Sequence, residues 1–542
     1  MPKTSMPDAH PPRNPMKSIL FSLLLWFCAL PAMAALDPAV VKQLAADESD
    51  DKIAAIQQLA ASADKDAARV LKALSEDALF VSGDTVYLLD GEKPVDAASG
   101  ALIQPAPESY DAITINNRIR SELSNAIAAL RLFNPDRAVR LAAARELQSN
   151  AGIELVPVLA RALAKEGDPE IKALLKLAHA QSSLGSPDAG LRLTAVEALA
   201  DSASANAKNL LLPLLDATNE PDERVRKAAK TSLKAIESSL ALGETVGQIF
   251  SGLSLGSILL LAALGLAITY GVMGVINMAH GELLMVGAYA TYFTQGIFRT
   301  YFPAYLDWYV VAAVPAAFLA AALVGMALER TVIRKLYGRP LETLLATWGL
   351  SLILIQAARV LFGAQNVELA NPSWMSGGVE VLAGMVLPWN RIVIIGFTLF
   401  VLALVWVLMN RTRLGMFVRA VTQNRPMAGC VGVPTGRIDT LAFGLGAGIA
   451  GLGGVALSQI ANVGPDMGQG YIVDSFMVVV LGGVGQLAGA VWAALGLGIV
   501  TKFLEGWAGA VIAKIAVLVF IIIFIQKRPQ GLFALKGRFV ES

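Results

Sequence analysis

The sequence contains few of the residues from which metal sites, disulfide frameworks and nucleophilic active sites are built. Its 542 residues include three histidines and two cysteines, Cys28 and Cys430, and these positions are widely separated. Such spacing offers neither a zinc-type ligand cluster nor a disulfide-stabilised scaffold. The formal net charge of +1 also lacks the strongly basic character of a nucleic-acid-binding protein. We therefore expect no catalytic residues, no metal and no nucleic-acid partner.

Charged residues are also scarce, and they are unevenly distributed. They make up 16% of the chain, against roughly 25% in a typical soluble protein. Apolar residues make up 55%, and the mean hydropathy is +0.57. Residues 35–240 hold many acidic and basic residues, whereas 246–526 is an almost continuous run of Leu, Val, Ile, Ala and Gly. This contrast predicts that the first stretch lies in water and the second in lipid.

The N-terminus carries the pattern of an export signal. Arg13 and Lys17 precede an apolar run over 19–30, which is followed by the small-residue stretch 31–35. A positive start, about a dozen apolar residues and a small-x-small end are typical of a secretory signal. The run is shorter than the ~20 residues that span hydrocarbon, so an uncleaved membrane helix is the weaker alternative. We predict a signal peptide over 1–34, cleaved after Ala34.

A helical pattern recurs within residues 35–240. Each copy begins with an acidic residue, continues with closely spaced alanines and repeats apolar residues at the helical period. The copies begin at Asp51, Asp136, Asp168, Asp188 and Asp222. An acidic residue bonds free amide groups at a helix N-terminus, and alanines let neighbouring helices approach closely. Stacked pairs of such helices form solenoids, and the pattern resembles HEAT-type repeats.

A small β hairpin is predicted within the same region. Two runs typical of strands, 79–81 and 85–89, flank the turn residues 82–84. The role of the whole region is open at this point. Solenoids often present a concave protein-binding face, so a docking or sensing role and a purely structural role are both compatible with the sequence.

Seven apolar segments in the second half are each close to the length that crosses a bilayer. They cover 249–270, 281–298, 308–329, 343–363, 391–410, 438–460 and 507–526. A further stretch, 473–504, is broken by glycines and is predicted to turn back at 482–486. We predict an all-α fold. A soluble HEAT-like domain with a small β hairpin comes first, and a polytopic helical membrane bundle of about eight spans plus a Gly-rich broken hairpin follows it. The predicted domains are the signal peptide 1–34, a periplasmic helical domain 35–240 and a transmembrane domain 241–542.

The distribution of basic residues predicts the orientation of the bundle. If 35–240 is exported, counting of the crossings places 330–342, 411–437 and the tail after 526 on the cytoplasmic side. These three segments are rich in Lys and Arg, whereas the outside linkers 364–390 and 461–472 contain neither. Cytoplasmic loops usually carry this excess of positive charge. The predicted location is the bacterial inner membrane, with a cytoplasmic C-terminus.

Polar residues lie in or beside breaks in the apolar pattern. Irregular backbone at membrane depth survives only inside protein or beside a water-filled path, so these residues are candidates for a solute path. They are Asn277, His280, Glu282, Gln459, Asn462 and Gln486. The glycines of the same broken helices are Gly281, Gly482, Gly483 and Gly485. Capping of a broken helix is the favoured alternative for Glu282 and His280, and most other glycines are explained by close helix packing.

Three motifs in this half resemble the permease subunits of branched-chain amino acid type ABC importers. Residues 270–282 read YGVMGVINMAHGE, residues 419–433 read RAVTQNRPMAGCVGV, and residues 480–485 read VLGGVG. The resemblance covers about 246–535. An exported extension before the permease is similar to the urea importer branch. One departure is Gln486, which stands where the amino acid branch tends to have a serine.

The resemblance implies transport subunits that this chain does not contain. They are a second related permease, two cytoplasmic ATPase subunits and a periplasmic solute-binding protein. The chain has no Gly-x-x-x-x-Gly-Lys-Ser/Thr run, so it holds no nucleotide site of that type, and ATP would be used by the partner subunits. The loop 411–437 is similar to the family's coupling element, which rests on the ATPase. The residues that this resemblance assigns to coupling are Arg419, Ala420, Asn424, Arg425, Ala428, Gly429 and Gly432.

The expected function is therefore transport of a small polar solute, with urea as the first choice and a branched-chain amino acid or a short-chain amide as alternatives. A passive channel fits the hydropathy but leaves the loop 411–437 without a purpose. A membrane enzyme would need a cluster of reactive side chains, which the scattered His and Cys residues do not offer. A signalling receptor with an exported sensor is the third rival.

Overall fold

The computed structural model describes residues 36–62, 65–83, 85–90, 93–103, 111–150, 152–202, 204–382 and 385–533. The predicted signal peptide over 1–34 lies outside these residues. The chain divides into two compact units, Met1–Ile236 and Glu237–Ser542, and each is described by itself.

Short packed helices dominate the first unit. They are α1 (Pro38–Gln43), α2 (Ser49–Ser62), α3 (Lys65–Ser75), α4 (Asn117–Arg131), α5 (Arg137–Asn150), α6 (Val156–Lys165), α7 (Pro169–Ser183), α8 (Ala189–Ala200), α9 (Ala205–Leu211) and the start of α10 (Glu223–Met273). Single 3₁₀ turns occur at Ile153–Leu155 and Leu212–Leu215. Asp168 and Asp188 cap α7 and α8, as the acidic pattern predicts. Asp51 instead lies inside the first turn of α2.

A four-stranded antiparallel sheet lies between α3 and α4 in the chain. Its strands are β1 (Leu79–Ser82), β2 (Thr85–Asp90), β3 (Lys93–Asp96) and β4 (Asp111–Ala112), in the spatial order β3-β2-β1-β4. Leu79 pairs with Leu88 across the tight β1–β2 turn, so the predicted hairpin is confirmed. The two further strands extend it into a small sheet.

An arginine joins separate segments of the first unit. The Arg192 guanidinium donates to both carboxylate oxygens of Glu220, each at 2.7 Å, and to the carbonyl oxygens of Ser186 and Pro187. The Glu220 side chain is only 1% exposed, so its charge is compensated almost entirely within the protein. Arg192 holds the pKa of Glu220 below its usual range through these hydrogen bonds.

The second unit is a bundle of longer helices. They are α11 (His280–Tyr301), α12 (Tyr309–Thr331), α13 (Pro340–Phe362), α14 (Trp389–Arg411), α15 (Arg413–Gln423), α16 (Arg425–Cys430), α17 (Thr435–Ser458), α18 (Met467–Gly482), α19 (Leu487–Ala508) and α20 (Ala510–Lys527). A two-stranded sheet of β5 (Gly378–Leu382) and β6 (Met385–Pro388) precedes α14. Short 3₁₀ turns cover Pro303–Trp308, Ile333–Leu336 and Ser373–Met375.

Among the described residues, seven helices are long and apolar enough to cross a membrane. They are Glu223–Met273, Pro303–Thr331, Pro340–Phe362, Trp389–Arg411, Thr435–Ser458, Leu487–Ala508 and Ala510–Lys527. The sequence predicted about eight spans. The difference has two causes: α11 has no stretch as apolar as those of the seven helices, and α18 has only 16 residues.

The centre of the bundle is formed by α17 with α10 and α11. In the most apolar window of α17, 89% of the residues are buried, whereas the value is 17% for α20. The glycines of α17 allow this burial, because a β-carbon at Gly446 would lie 2.6 Å from the carbonyl oxygen of Gly265 in α10. Outer helices such as α20 instead leave large apolar side chains exposed, as lipid contact requires.

The predicted broken hairpin is confirmed by α18 and α19. The first helix ends at Gly482 and the second begins at Leu487. Gly483 and Gly485 have φ angles of +100° and +76°, which a residue with a side chain adopts only with strain. The C-terminal segment packs against the turn, since the Leu532 amide donates to the Leu481 carbonyl at 2.8 Å.

The loops of the second unit meet in two groups, one at each end of the bundle. At the end that we call the basic end, Tyr337 contacts Met273, and Arg334 donates to the Gly436 carbonyl. At the opposite end, Val367 and Val463 pair as an isolated β-bridge. The basic end thus brings together parts of the segments with the arginine excess, namely 330–342 and 411–437.

Candidate functional site

The first candidate site is formed where α10 breaks before α11. Gly274, with a φ angle of +65°, turns the chain after Met273, and α11 begins six residues later at His280. His280 Nε2 donates to the Ala262 carbonyl at 3.0 Å. Ala262 lies eleven residues before the end of α10, which corresponds to about 16 Å along a helix. Helix α11 therefore begins deep within the bundle.

Helix α18 begins at the same place. A β-carbon added to Gly281 would lie 2.9 Å from the carbonyl carbon of Gly468, so the first turns of α11 and α18 touch through their backbones. From this junction α18 runs to the basic end and α11 runs to the opposite end, where Gln295 bonds the Ala370 carbonyl. The partially positive N-termini of two broken helices thus meet inside the bundle, an arrangement found around solute sites in transporters.

Three of the predicted path residues gather at this junction, and each is almost fully buried. Asn277 Oδ1 accepts a hydrogen bond from the Ala279 amide at 3.1 Å, and Glu282 Oε1 accepts one from the Ser351 hydroxyl at 2.9 Å. Among the described residues, the second polar atoms, Asn277 Nδ2, His280 Nδ1 and Glu282 Oε2, have no hydrogen-bond partner. An unsatisfied buried polar group costs about 1–3 kcal/mol, so three of them in one place indicate a function.

The structure assigns the bond to a free amide at the start of α11 to Asn277, and not to Glu282 or His280. No side chain caps α11 at its N-cap residue Ala279, and the Glu282 carboxylate is bonded to Ser351 on α13. The His280 ring does bond a carbonyl, but that carbonyl belongs to Ala262 in the middle of α10. Asn277 is the residue that bonds a free amide at the start of α11.

The other three predicted path residues lie elsewhere. Gln459 is buried near the opposite end, where its Oε1 atom lies 3.3 Å from the Tyr309 hydroxyl. Asn462 is exposed beyond the end of α17, and Gln486 is half-buried in the α18–α19 turn at the basic end. Gly281 belongs to the junction, while Gly482, Gly483 and Gly485 belong to this turn.

Two functional candidates at the junction carried no signal of their own in the sequence analysis. Ser351 lies on α13, 69 positions from the Glu282 carboxylate that it bonds. Tyr289 lies two turns after Glu282 on α11, and its buried hydroxyl has no hydrogen-bond partner. The spacing of seven residues between Glu282 and Tyr289 was a usable signal, because it places both side chains on one face of a helix.

The second candidate site is the predicted coupling segment at the basic end. Thr412 caps α15 and Asn424 caps α16, so two short helices follow α14 in quick succession. Gly429 and Gly432 are exposed, and a β-carbon on either would meet nothing within 4 Å. Gly432 has a φ angle of +88°. The tip of this segment therefore offers open backbone on which another protein can rest.

One face of the coupling segment is apolar and exposed, whereas the other is attached to the bundle. The exposed side chains include Met416, Met427 and Val431. Ala428 is buried and Ala420 half-buried within this chain, although the resemblance assigns both to coupling. The small residues that remain open to a partner are thus the two glycines.

The arginines of the segment bond within this chain. Arg419 is exposed and donates to the Met409 carbonyl. Arg425 pairs with Asp439 of α17, and its guanidinium carbon lies 4.9 Å from the centre of the Tyr337 ring. Burial raises the pKa of Tyr337 above its usual range.

A chain of contacts connects Arg425 with the broken helix. The Tyr337 hydroxyl beside it lies 2.7 Å from Met273 Sδ, at the end of α10. Beyond Met273, only the residues 274–279 separate α10 from His280. These contacts and the short connection 274–279 therefore link α16 continuously to the junction of α11 and α18.

Comparisons with known proteins place the second unit in context. A family model described as branched-chain amino acid transport system / permease component matches residues 248–526. The permease protein BraD of Pseudomonas aeruginosa, named for high-affinity branched-chain amino acid transport, is 28% identical over 291 residues, which cover 53% of this chain and 94% of that protein. LivH of Escherichia coli K12, named for the same transport, is 29% identical over 293 residues with the same coverage. The ribose import permease RbsC of Escherichia coli K12 is 28% identical over 130 residues, or 21% of this chain and 40% of that protein.

Proposed function

This chain belongs to the family of branched-chain amino acid transport permeases, and on that premise we propose that it moves urea across the bacterial inner membrane as the permease subunit of a binding-protein-dependent ABC importer. As a member of this family, it is a transport subunit and not an enzyme. The observation that supports a solute path through this chain is the junction of α11 and α18, where three buried side chains leave polar atoms without partners.

The choice of urea rests on two features of the chain. An exported domain before the permease resembles the urea importer branch, and Gln486 differs from the serine of the amino acid branch. An uncharged polar solute also suits a path lined by amide and carbonyl groups. A branched-chain amino acid is the alternative solute, because the relatives BraD and LivH are named for it. A short-chain amide fits the same path.

The proposed partners are a second related permease, two cytoplasmic ATPase subunits that use ATP, and a periplasmic solute-binding protein. The exposed tip of the coupling segment, with Gly429 and Gly432, supports contact with an ATPase subunit. In this arrangement residues 35–240 are periplasmic and HEAT-like, and the basic end of the bundle faces the cytoplasm.

Transport is tested with the complete importer reconstituted in vesicles that contain ATP. We expect uptake of urea that requires both ATP and the binding protein, with no uptake of leucine at the same concentration. A matched sample with an ATPase-inactive partner controls for leakage. Equal urea flux with and without ATP would instead show a passive channel, and ATP-dependent uptake of leucine alone would establish the alternative solute.

Orientation is tested separately with the exposed thiol of Cys430 in α16. A membrane-impermeant maleimide is expected to label Cys430 in inside-out vesicles and not in intact spheroplasts. An added tag at residue 36 should show the reverse accessibility. Labelling of Cys430 from the periplasmic side would contradict the proposed topology and the coupling assignment with it.

A further inference from the structure

Two buried polar atoms without partners lie on one face of α11. Glu282 and Tyr289 are seven residues apart, which is two helical turns, so their side chains project in the same direction. The two residues are 1% and 3% exposed, yet in the part of the chain that the structure describes Glu282 Oε2 and the Tyr289 hydroxyl have no hydrogen-bond partner. A buried polar group without a partner is costly, and a carboxylate oxygen is among the most costly.

The surrounding residues that the structure describes bond one oxygen of the Glu282 carboxylate and leave the other without a hydrogen-bond partner. The Ser351 hydroxyl of α13 donates to Oε1 at 2.9 Å, which fixes the carboxylate. The other oxygen faces the first turn of α18, where a β-carbon at Gly468 would lie 2.8 Å from it. Oε2 is itself buried, and any larger residue at position 468 would fill the space beside it, so the glycine leaves room there for a hydrogen-bond donor.

The local charges select the kind of group that can bind this oxygen. A carboxylate oxygen without its proton only accepts hydrogen bonds, so its ligand must be a donor. Asp466, before α18, is close enough to interact electrostatically with both Glu282 and Tyr289. Arg359 is bonded to Asp466, at 2.8 and 3.1 Å from its two oxygens. Because Arg359 compensates the charge of Asp466, the choice of ligand rests on the Glu282 carboxylate, which favours a group that presents N–H donors.

From this geometry we infer that Glu282 recognises the nitrogen of the transported solute, by accepting a hydrogen bond from a solute N–H at Oε2, and that the Tyr289 hydroxyl is the next polar group along the path. The inference rests on the proposed function, since it assigns the solute chemistry of that path. The shared chemistry is the N–H donor, which the amide groups of urea and the ammonium group of leucine both offer.

The direct test is solute protection of Glu282 against an apolar carbodiimide in the reconstituted complete importer. Modification of each carboxyl group is followed by mass spectrometry with urea, leucine or tetramethylurea present. We expect the N–H-bearing solute to slow modification of Glu282 at least threefold, whereas tetramethylurea, which has no N–H, leaves the rate unchanged. Glu329 is the internal control, because it is equally buried but bonded to Arg334 and Thr440. Equal modification rates of Glu282 with and without every solute would overturn the inference.

Two variants provide a second measurement in the same vesicles. Glu282→Gln replaces one carboxylate oxygen with an amide donor of nearly the same size, and it should lower solute uptake at least tenfold. Glu282→Asp keeps the carboxylate and should restore part of that uptake. Thermal stability of both variants is measured beside uptake, so that a folding defect is distinguished from a loss of solute recognition. Uptake by Glu282→Gln at the unchanged rate would overturn the inference while the proposed function stands. Absence of ATP-dependent uptake of either solute by the unchanged importer would refute the proposed function itself, and the inference with it.

Discussion

The contact between Gly281 and Gly468 is the most demanding feature of the α11–α18 junction. A β-carbon at Gly281 would lie 2.9 Å from the Gly468 carbonyl carbon and 3.1 Å from Ile472 Cβ, whereas ordinary van der Waals contacts begin near 3.4 Å. The substitution Gly281→Ala therefore forces the two first turns apart by at least 0.5 Å, the difference between 2.9 and 3.4 Å. Forced overpacking of this kind costs about 1–3 kcal/mol.

The expected result is a less stable protein with impaired transport. Thermal unfolding of the purified chain in detergent, followed by the loss of its helical circular dichroism, measures the stability. Uptake by the reconstituted importer measures function, and it should fall further than the stability alone explains, because Glu282 adjoins the displaced turn. A 1.4 kcal/mol change corresponds to a tenfold change in an equilibrium constant, so the effect is easily measured.

The chain offers a matched control on the same helix. Gly296 is exposed on α11, and a β-carbon there would meet nothing within 4 Å. Gly296→Ala makes the same chemical change without the clash, and higher helix propensity should leave stability equal or slightly increased. If Gly281→Ala behaves like Gly296→Ala in both assays, the argument from the close contact is refuted.

Three further predictions follow from other parts of the chain. Arg192 lowers the folded-state pKa of Glu220, so their pair stabilises the first unit above the unfolded carboxyl pKa of about 4.3 and loses this effect as the pH falls through the lower folded value. Glu220→Gln should cost about 2 kcal/mol at pH 7, and hydrogen exchange of residues 186–230 in the full chain should show a larger loss at pH 7 than at pH 3. Gly432→Val should reduce ATP-coupled uptake without loss of membrane insertion. Gly432→Asn should retain more uptake, because asparagine tolerates the positive φ angle of this position better than a β-branched residue. Equal uptake by both variants would count against the positive φ angle as the cause. Gln486→Leu should lower solute uptake if Gln486 lines the path, and unchanged uptake would remove this residue from the path.

The bundle was predictable from local sequence, and so was the position of its main breaks. The lengths of the apolar segments follow from the thickness of a bilayer, and the α18–α19 turn falls on Gly482–Gln486 because glycines accept positive φ angles. The start of α11 at His280 was likewise expected from the polar residues around Gly281. Such features depend on a few neighbouring residues, so the chain need not be folded for them to be recognised.

The membership of the candidate site was less predictable. Asn277, His280 and Glu282 form one group because they are adjacent in the chain, but Gln459 and Gln486 lie near opposite ends of the bundle. All of these residues flank breaks, and a break alone does not show at what depth its residues lie. The bonds of Arg425 were also hidden, because its partners Asp439 and Tyr337 belong to other segments.

The sequence by itself therefore determined the apolar spans, the hairpin turn and the family of this protein, since each is written in composition, spacing or motif over short stretches. Only the tertiary structure decided that the N-termini of α11 and α18 meet. It also decided that Ser351 bonds one oxygen of Glu282 and that the other oxygen lies beside Gly468. The physical reason is that these contacts join segments from 69 to 187 residues apart, from Glu282 to Ser351 and from Gly281 to Gly468. Contacts at such separations depend on how the whole bundle packs, and local residue preferences do not record them.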